Sequence, residues 1–158
     1  MEKGKPEGSV APVSKREYET LAAFRGELRR FLRFSEEAAR GAGLSPQQHQ
    51  LLLTVQGMPG REWATIKEIA DHLQVRHHTV VELVDRMEGS RLVVRRQSAA
   101  DHRMVEVLLT EEGERILRTL TIAHKEELVR LSGVWSSLSG ILRDAAPPVI
   151  GGQPNGGV

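Results

Sequence analysis

Residues 65–113 read TIKEIADHLQVRHHTVVELVDRMEGSRLVVRRQSAADHRMVEVLLTEEG. The period of their apolar positions changes partway, and that change constrains the fold more than anything else in the chain. Ile66, Ile69, Ala70 and Leu73 recur at helical spacing, and Val80, Leu83, Val84 and Met87 repeat the same spacing. Gln74-Val75-Arg76 between them is too short for anything but a tight turn. Leu92 to Gln97 is then β-prone, and Arg103 to Leu109 alternates, with Val105, Val107 and Leu109 on one side and Met104, Glu106 and Leu108 on the other. Ser98 to His102 is a polar loop, so the two runs form an antiparallel hairpin. The pattern predicts a helix-turn-helix with a β-hairpin wing. Small Ala70 lets the second helix cross the first closely. The outer face of that second helix carries His77, His78, Val81, Glu82, Asp85 and Arg86.

The flanks read as helices with clear start signals. Ser14-Lys15-Arg16-Glu17, Ser45-Pro46-Gln47-Gln48 and Thr65-Ile66-Lys67-Glu68 each have capping-box spacing, in which a hydroxyl and a carboxyl or amide satisfy free backbone N–H groups reciprocally. The first opens a helix over about 15–40, with Tyr18, Leu21, Leu28, Phe31 and Leu32 on one stripe and Arg25, Arg29, Arg30 and Arg33 on a solvated flank. The second opens a helix through Leu51, Leu52 and Val55, with Leu44 and His49 at staple positions. Trp63 to Ile66 is a short strand candidate. Thr110 caps a helix with acids in its first turn, where the dipole favours them. Its stripe reaches Leu131, Ser132-Gly133 breaks it, and a short helix over Val134 to Leu142 ends the ordered part. The reading is mainly α with a small hairpin. It divides into a tail (1–13), a first helix (14–44), a winged helix-turn-helix (45–109), C-terminal helices (110–145) and a Pro- and Gly-rich tail (146–158).

Composition excludes several classes of function. No run of apolar residues is long enough for a membrane span, and the first residues lack the apolar core of a secretory signal. Cysteine is absent, which fits a reducing cytoplasm and removes thiolate chemistry and disulfides. No phosphate loop, nucleophile elbow or telling carboxylate pair marks an enzyme, and no cofactor is implied. Net charge is only +1, so any affinity for nucleic acid needs a local patch. Residues 76–103 hold six arginines and four acids, and Arg95, Arg96 and Arg103 concentrate on the wing, while Asp85 and Glu88 are placed to pair within their helix. The major groove of B-DNA admits one α-helix, and a hairpin arm beside it sets a cation in the minor groove or against phosphates.

The wing and the turn after it, Asp101-x-Arg103 followed by Val107-x-Leu109-Thr110-x-x-Gly113, resemble the MarR family of bacterial winged-helix transcriptional regulators. So do Ile69-Ala70-Asp71-His72-Leu73 and the run from Val80 to Glu88. The resemblance covers roughly residues 15–143. It implies a cytoplasmic homodimer on a palindromic operator, acting as a repressor released by a small-molecule effector. It implies that Arg103 reaches the minor groove, that His77, His78 and Thr79 open the recognition helix and that Asp101 holds the wing loop by pairing with an arginine; the residues of the second helix and the wing themselves add Arg76, Glu82, Arg86, Arg95, Arg96 and His102 as candidate DNA contacts. It also implies a dimer interface from the outer helices through Leu21, Phe24, Leu28, Leu128, Leu131, Trp135 and Leu138. Effector residues are not identified, although Phe31, His49, Trp63 and Arg25 are candidates that core or surface roles explain equally. The chain departs from the family at Gln74, where the turn often has glycine, and at Arg76, where a Ser or Thr cap is frequent. It departs again at Glu82, where a cation is usual, and at His102, where a second arginine is frequent. Two alternatives stand beside this reading. One is a metal-responsive regulator using His72, His77 and His78; the other is a winged helix that binds only protein.

Overall fold

The computed structural model describes residues 12–99 and 101–145. The elements in order are α1 (Lys15–Gly41), α2 (Pro46–Gln56), β1 (Trp63–Thr65), α3 (Ile66–Leu73), α4 (His77–Gly89), β2 (Val93–Gln97), β3 (Val105–Leu109), α5 (Glu111–Arg130) and α6 (Ser132–Ala145). The chain divides into two compact units. Arg30–Val129 forms one, and the segments before and after it form the other. No helix of the described residues is long and apolar enough to cross a membrane. Of the expected tails, 1–13 and 146–158, residues 1–11 and 146–158 lie outside the described residues.

Local chemistry explains where the helices of the larger unit begin. Ser45 accepts the Gln48 N–H at 3.2 Å while the Gln48 side chain accepts the Ser45 N–H at 2.7 Å, and Pro46 stands at the first helical position. Leu44 and His49 are both buried, as a staple across the cap requires. Thr65 and Glu68 repeat the box at α3. There the Glu68 carboxylate also pairs with Arg61, whose guanidinium stacks 4.0 Å over the Trp63 ring.

Leu51, Leu52, Val55, Ile69, Val80, Val84, Met87, Val93 and Val107 are the large side chains sealed from solvent. They come from α2, α3, α4 and the sheet, so the helix pair and the wing share one core. Gln74 ends α3 in the left-handed region at φ 54°, a conformation that glycine adopts more easily. Its N–H reaches the carbonyls of Ala70 and Asp71, and the Val75 N–H bonds to Ala70 O at 3.1 Å, so the turn closes without glycine.

The sheet has three strands in the order β1-β3-β2, both pairings antiparallel. The expected hairpin is thus extended by β1, which pairs Thr65 with Glu106 and Trp63 with Leu108. Strand β3 is central, and this corrects the expected half-buried alternation. Glu106 is buried and Val105 is 41% exposed, because β1 covers β3 only as far as Glu106. Strand β2 ends at Gln97 and β3 begins at Val105, with Ser98 N donating to Met104 O at 3.0 Å, so the strands stop further from the wing tip than the expected loop of 98–102 implied.

In the smaller unit, Ser14 and Glu17 form the third capping box, with the Ser14 N–H donating to Glu17 Oε2 at 2.7 Å. Phe24 of α1 and Trp135 of α6 meet edge to face at 5.1 Å between centroids. Leu21, Leu28 and Trp135 are exposed and Leu131 is buried, while Phe24 and Leu138 are half-buried. Helix α6 is 14 residues long, longer than the short helix expected.

Candidate nucleic-acid interface

Helix α4 buries Val80, Leu83, Val84 and Met87 and thereby turns its other side outward. His77, His78, Glu82 and Arg86 are exposed on that side, and Thr79 is half-buried. Arg76 occupies the N-cap and makes no side-chain capping bond, in contrast to the full boxes at α2 and α3. Arg76 is exposed, and the first-turn N–H groups are left without a side-chain cap at the helix end where the dipole favours an anion.

The wing is tied to this helix through Arg95. Its Nη1 donates to Glu88 Oε2 at 2.6 Å and its Nη2 to Asp85 Oδ1 at 2.6 Å. Nη2 also lies 3.4 Å from Val81 O, and the Arg95 N–H bonds to Glu88 Oε1 at 3.1 Å. Asp85 and Glu88 were expected to find their partners within α4, and they pair instead with Arg95 of β2. They reach across to β2 because both face the strand that packs on the helix.

Arg96 is held in a similar way. Its Nε and Nη2 both donate to Glu106 Oε2, at 2.9 and 2.6 Å. The Arg96 hydrogen bond, against the opposing effect of burial, keeps the Glu106 carboxyl below the usual carboxylate range, and Ser98 adds to it. The wing arginines are thus engaged with carboxylates, not presented as an unbalanced cationic cluster.

Arg103 differs in being 91% exposed at its side chain. Asp101 takes its Nε at 3.1 Å, its Nη2 at 3.2 Å and its backbone N–H at 3.0 Å. The Arg103 side-chain bonds, then its N–H, hold the Asp101 carboxyl below its ordinary value. The expected partner for Asp101 is therefore Arg103 itself. The pair fixes the direction in which the guanidinium leaves the wing. His102 is exposed beside it, and its carbonyl accepts from the Gln97 side chain at 2.6 Å.

A groove of about 430 Å³ runs between the starts of α3 and α4 and the wing, lined by Thr65, Ile66, Lys67, His77, Arg103, Met104 and Val105. It brings His77 and Arg103 to one place and adds exposed Lys67, which sequence reasoning missed. Its position on the outward side of α3, two residues after the Thr65 cap, was the available signal. Among the described residues, no three His, Cys, Asp or Glu side chains come together to hold a metal ion.

The candidate effector residues part company. His49 is buried, with its ring centroid 4.8 Å from that of His124. Phe31 and Phe34 stand edge-on to His124. His124 Nδ1 is 2.6 Å from Leu120 O and Nε2 is 2.8 Å from Ser35 Oγ. A carbonyl only accepts, so Nδ1 carries the proton and Nε2 takes the Ser35 hydroxyl proton. Burial, then the electrostatic influence of the neighbouring His124, lower the pKa of His49. Trp63 lies with Arg61 instead.

Residues 42–104, which contain α2 to the wing tip, match the model of the MarR family. That segment is thus similar to the MarR family over its winged-helix part. Among curated relatives it is similar to the Bacillus subtilis HTH-type transcriptional regulator YsmB, at 31% identity over 86 residues, or 51% of this chain. That match spans 59% of YsmB, less than two thirds of its length. The HTH-type transcriptional repressor MdtR of B. subtilis is 24% identical over 115 residues, covering 65% of this chain and 72% of MdtR. Among solved structures, a point mutant of S. aureus MepR bound to an oligodeoxyribonucleotide superposes with a TM-score of 0.60 at 21% identity, covering 82% of this chain and 98% of that one. The winged helix-turn-helix is thus the fold of MarR-family transcriptional regulators, a mostly helical chain with a three-strand antiparallel sheet.

Proposed function

We propose that the protein is a sequence-specific regulator of transcription that binds double-stranded DNA in the cytoplasm. The carrying observation is the outward face of α4 set beside a wing that projects Arg103. Helix α4 would lie in the major groove with its first turns toward the base edges, and Arg103 would enter the adjacent minor groove. Lys67, Arg76 and Arg86 have no acidic partner among the described residues and would meet phosphates. The oligodeoxyribonucleotide on MepR supports the same use of the fold.

The rest of the reading is a homodimeric repressor on a palindromic operator, released by a small molecule. Exposed Tyr18, Leu21, Leu28 and Trp135 in the smaller unit support self-association. The repressor MdtR supports the sign of control, and the family resemblance supports the effector. Selection of bound duplexes from a random pool tests the whole. Half-sites about one helical turn apart are the expected result, with affinity falling as salt rises because neutralised phosphates release counterions. Enrichment of no site, or an Arg103→Ala protein with full affinity, refutes the interface.

A further inference from the structure

We propose that Glu82 sets the operator's sequence by accepting a hydrogen bond from the exocyclic amino group of a cytosine in the major groove. The inference rests on α4 being the recognition helix and names what that helix reads. The acids around the interface are otherwise engaged: Asp85 and Glu88 hold Arg95, Glu106 holds Arg96, and Asp101 holds Arg103. Glu82 is exposed and has no hydrogen bond or ion pair among the described residues. Arg86, one turn further along the same face and within ordinary reach of an i,i+4 pair, forms no such pair with it. The carboxylate is therefore free to face outward, not engaged by the protein.

Its place makes that orientation consequential. Glu82 lies one turn beyond His78 on the outer face of α4, within the first two turns that an inserted helix aims at base edges. A carboxylate only accepts hydrogen bonds. Phosphates repel it, and so do the O6 and N7 of guanine and the O4 of thymine. Adenine offers an amino group, but beside the acceptor N7, whereas cytosine offers N4–H alone. A glutamate on this face thus opposes binding everywhere except opposite a C·G pair.

The test is duplex selection with three full-length proteins: wild type, Glu82→Gln and Glu82→Ala. Glu82 is exposed, so both variants should melt with the wild type, which a thermal scan confirms. The expected wild-type half-site has one C·G pair, preferred about tenfold or more over the alternatives. Glu82→Gln should move that pair to A·T, since an amide bonds to adenine N6 and N7 together, and Glu82→Ala should make it degenerate while the rest of the site persists. Identical sites for all three proteins overturn the proposal and leave the DNA-binding reading standing. A responding pair that is A·T in the wild-type site overturns the cytosine assignment. If the wild type selects nothing, the reading of α4 fails as well.

Discussion

Gly113 is the position where one added carbon should do most damage. It lies in the first turn of α5, where a Cβ would sit 2.2 Å from Leu92 O and 3.2 Å from Leu92 C. An ordinary carbon–oxygen contact is about 3.3 Å, so helix or strand must move by roughly 1 Å. Neither can do so freely. Leu92 is buried, its N–H bonds to Met87 O at 2.9 Å, and its carbonyl accepts the Thr110 N–H at 3.1 Å. Thr110 in turn donates its hydroxyl to Arg91 O at 2.6 Å and accepts the Gly113 N–H at 3.1 Å. Overpacking of this kind costs about 1–3 kcal/mol, and losing the Thr110–Leu92 bond adds about 1 kcal/mol. Gly113→Ala should therefore destabilise by about 3 kcal/mol, a fall of about 10 °C in Tm for a chain of this size. Far-UV circular dichroism melts measure it. Gly89→Ala is the control, because nothing lies within 4 Å of its added Cβ, and its Tm should hold or rise slightly. A Gly113→Ala protein melting within about 2 °C of wild type would refute the close approach.

Two more outcomes follow from buried and bridging polar groups. Buried His49 has a lowered pKa, so the stability it confers is whole above its ordinary value of 6.5 and is lost as pH falls through the depressed folded value. Urea denaturation between pH 7.5 and 5.5 should show this loss in wild type and a flatter profile in His49→Gln; equal slopes would count against a neutral buried His49. The Arg95 bridge from wing to α4 should give a coupling of about 1 kcal/mol in a double-mutant cycle of Arg95→Ala and Glu88→Ala, discounted for partial exposure. A coupling near zero would mean that the wing is held by its apolar contacts alone.

Much of this protein could be read without coordinates because the signals are local. Caps at Ser45 and Thr65 join residues three apart, and the stripes of α3 and α4 follow from the helical period itself. The Asp101–Arg103 pair spans two residues, so it too was accessible as a motif, down to an arginine partner if not to which one. Gly113 was visible as a motif position, but its reason lies in Leu92, 21 residues earlier. Folding alone decided which charges are available for other work. Asp85 and Glu88 read as pairing with basic groups of their own helix until β2 brought Arg95 against them. Glu106 was legible only as lying on the strand face opposite Val105, Val107 and Leu109, and its burial and its pairing with Arg96 came with the fold. His124 and Ser35, 89 residues apart, had no pattern to join them. The physical reason is common to all these cases. Capping and amphipathicity act within a turn or two of chain, whereas desolvation and ion pairing depend on which surfaces the core brings together. The outward face of α4 was legible from its period, but that Glu82 stands on it without a partner emerged only once the neighbouring acids had found theirs.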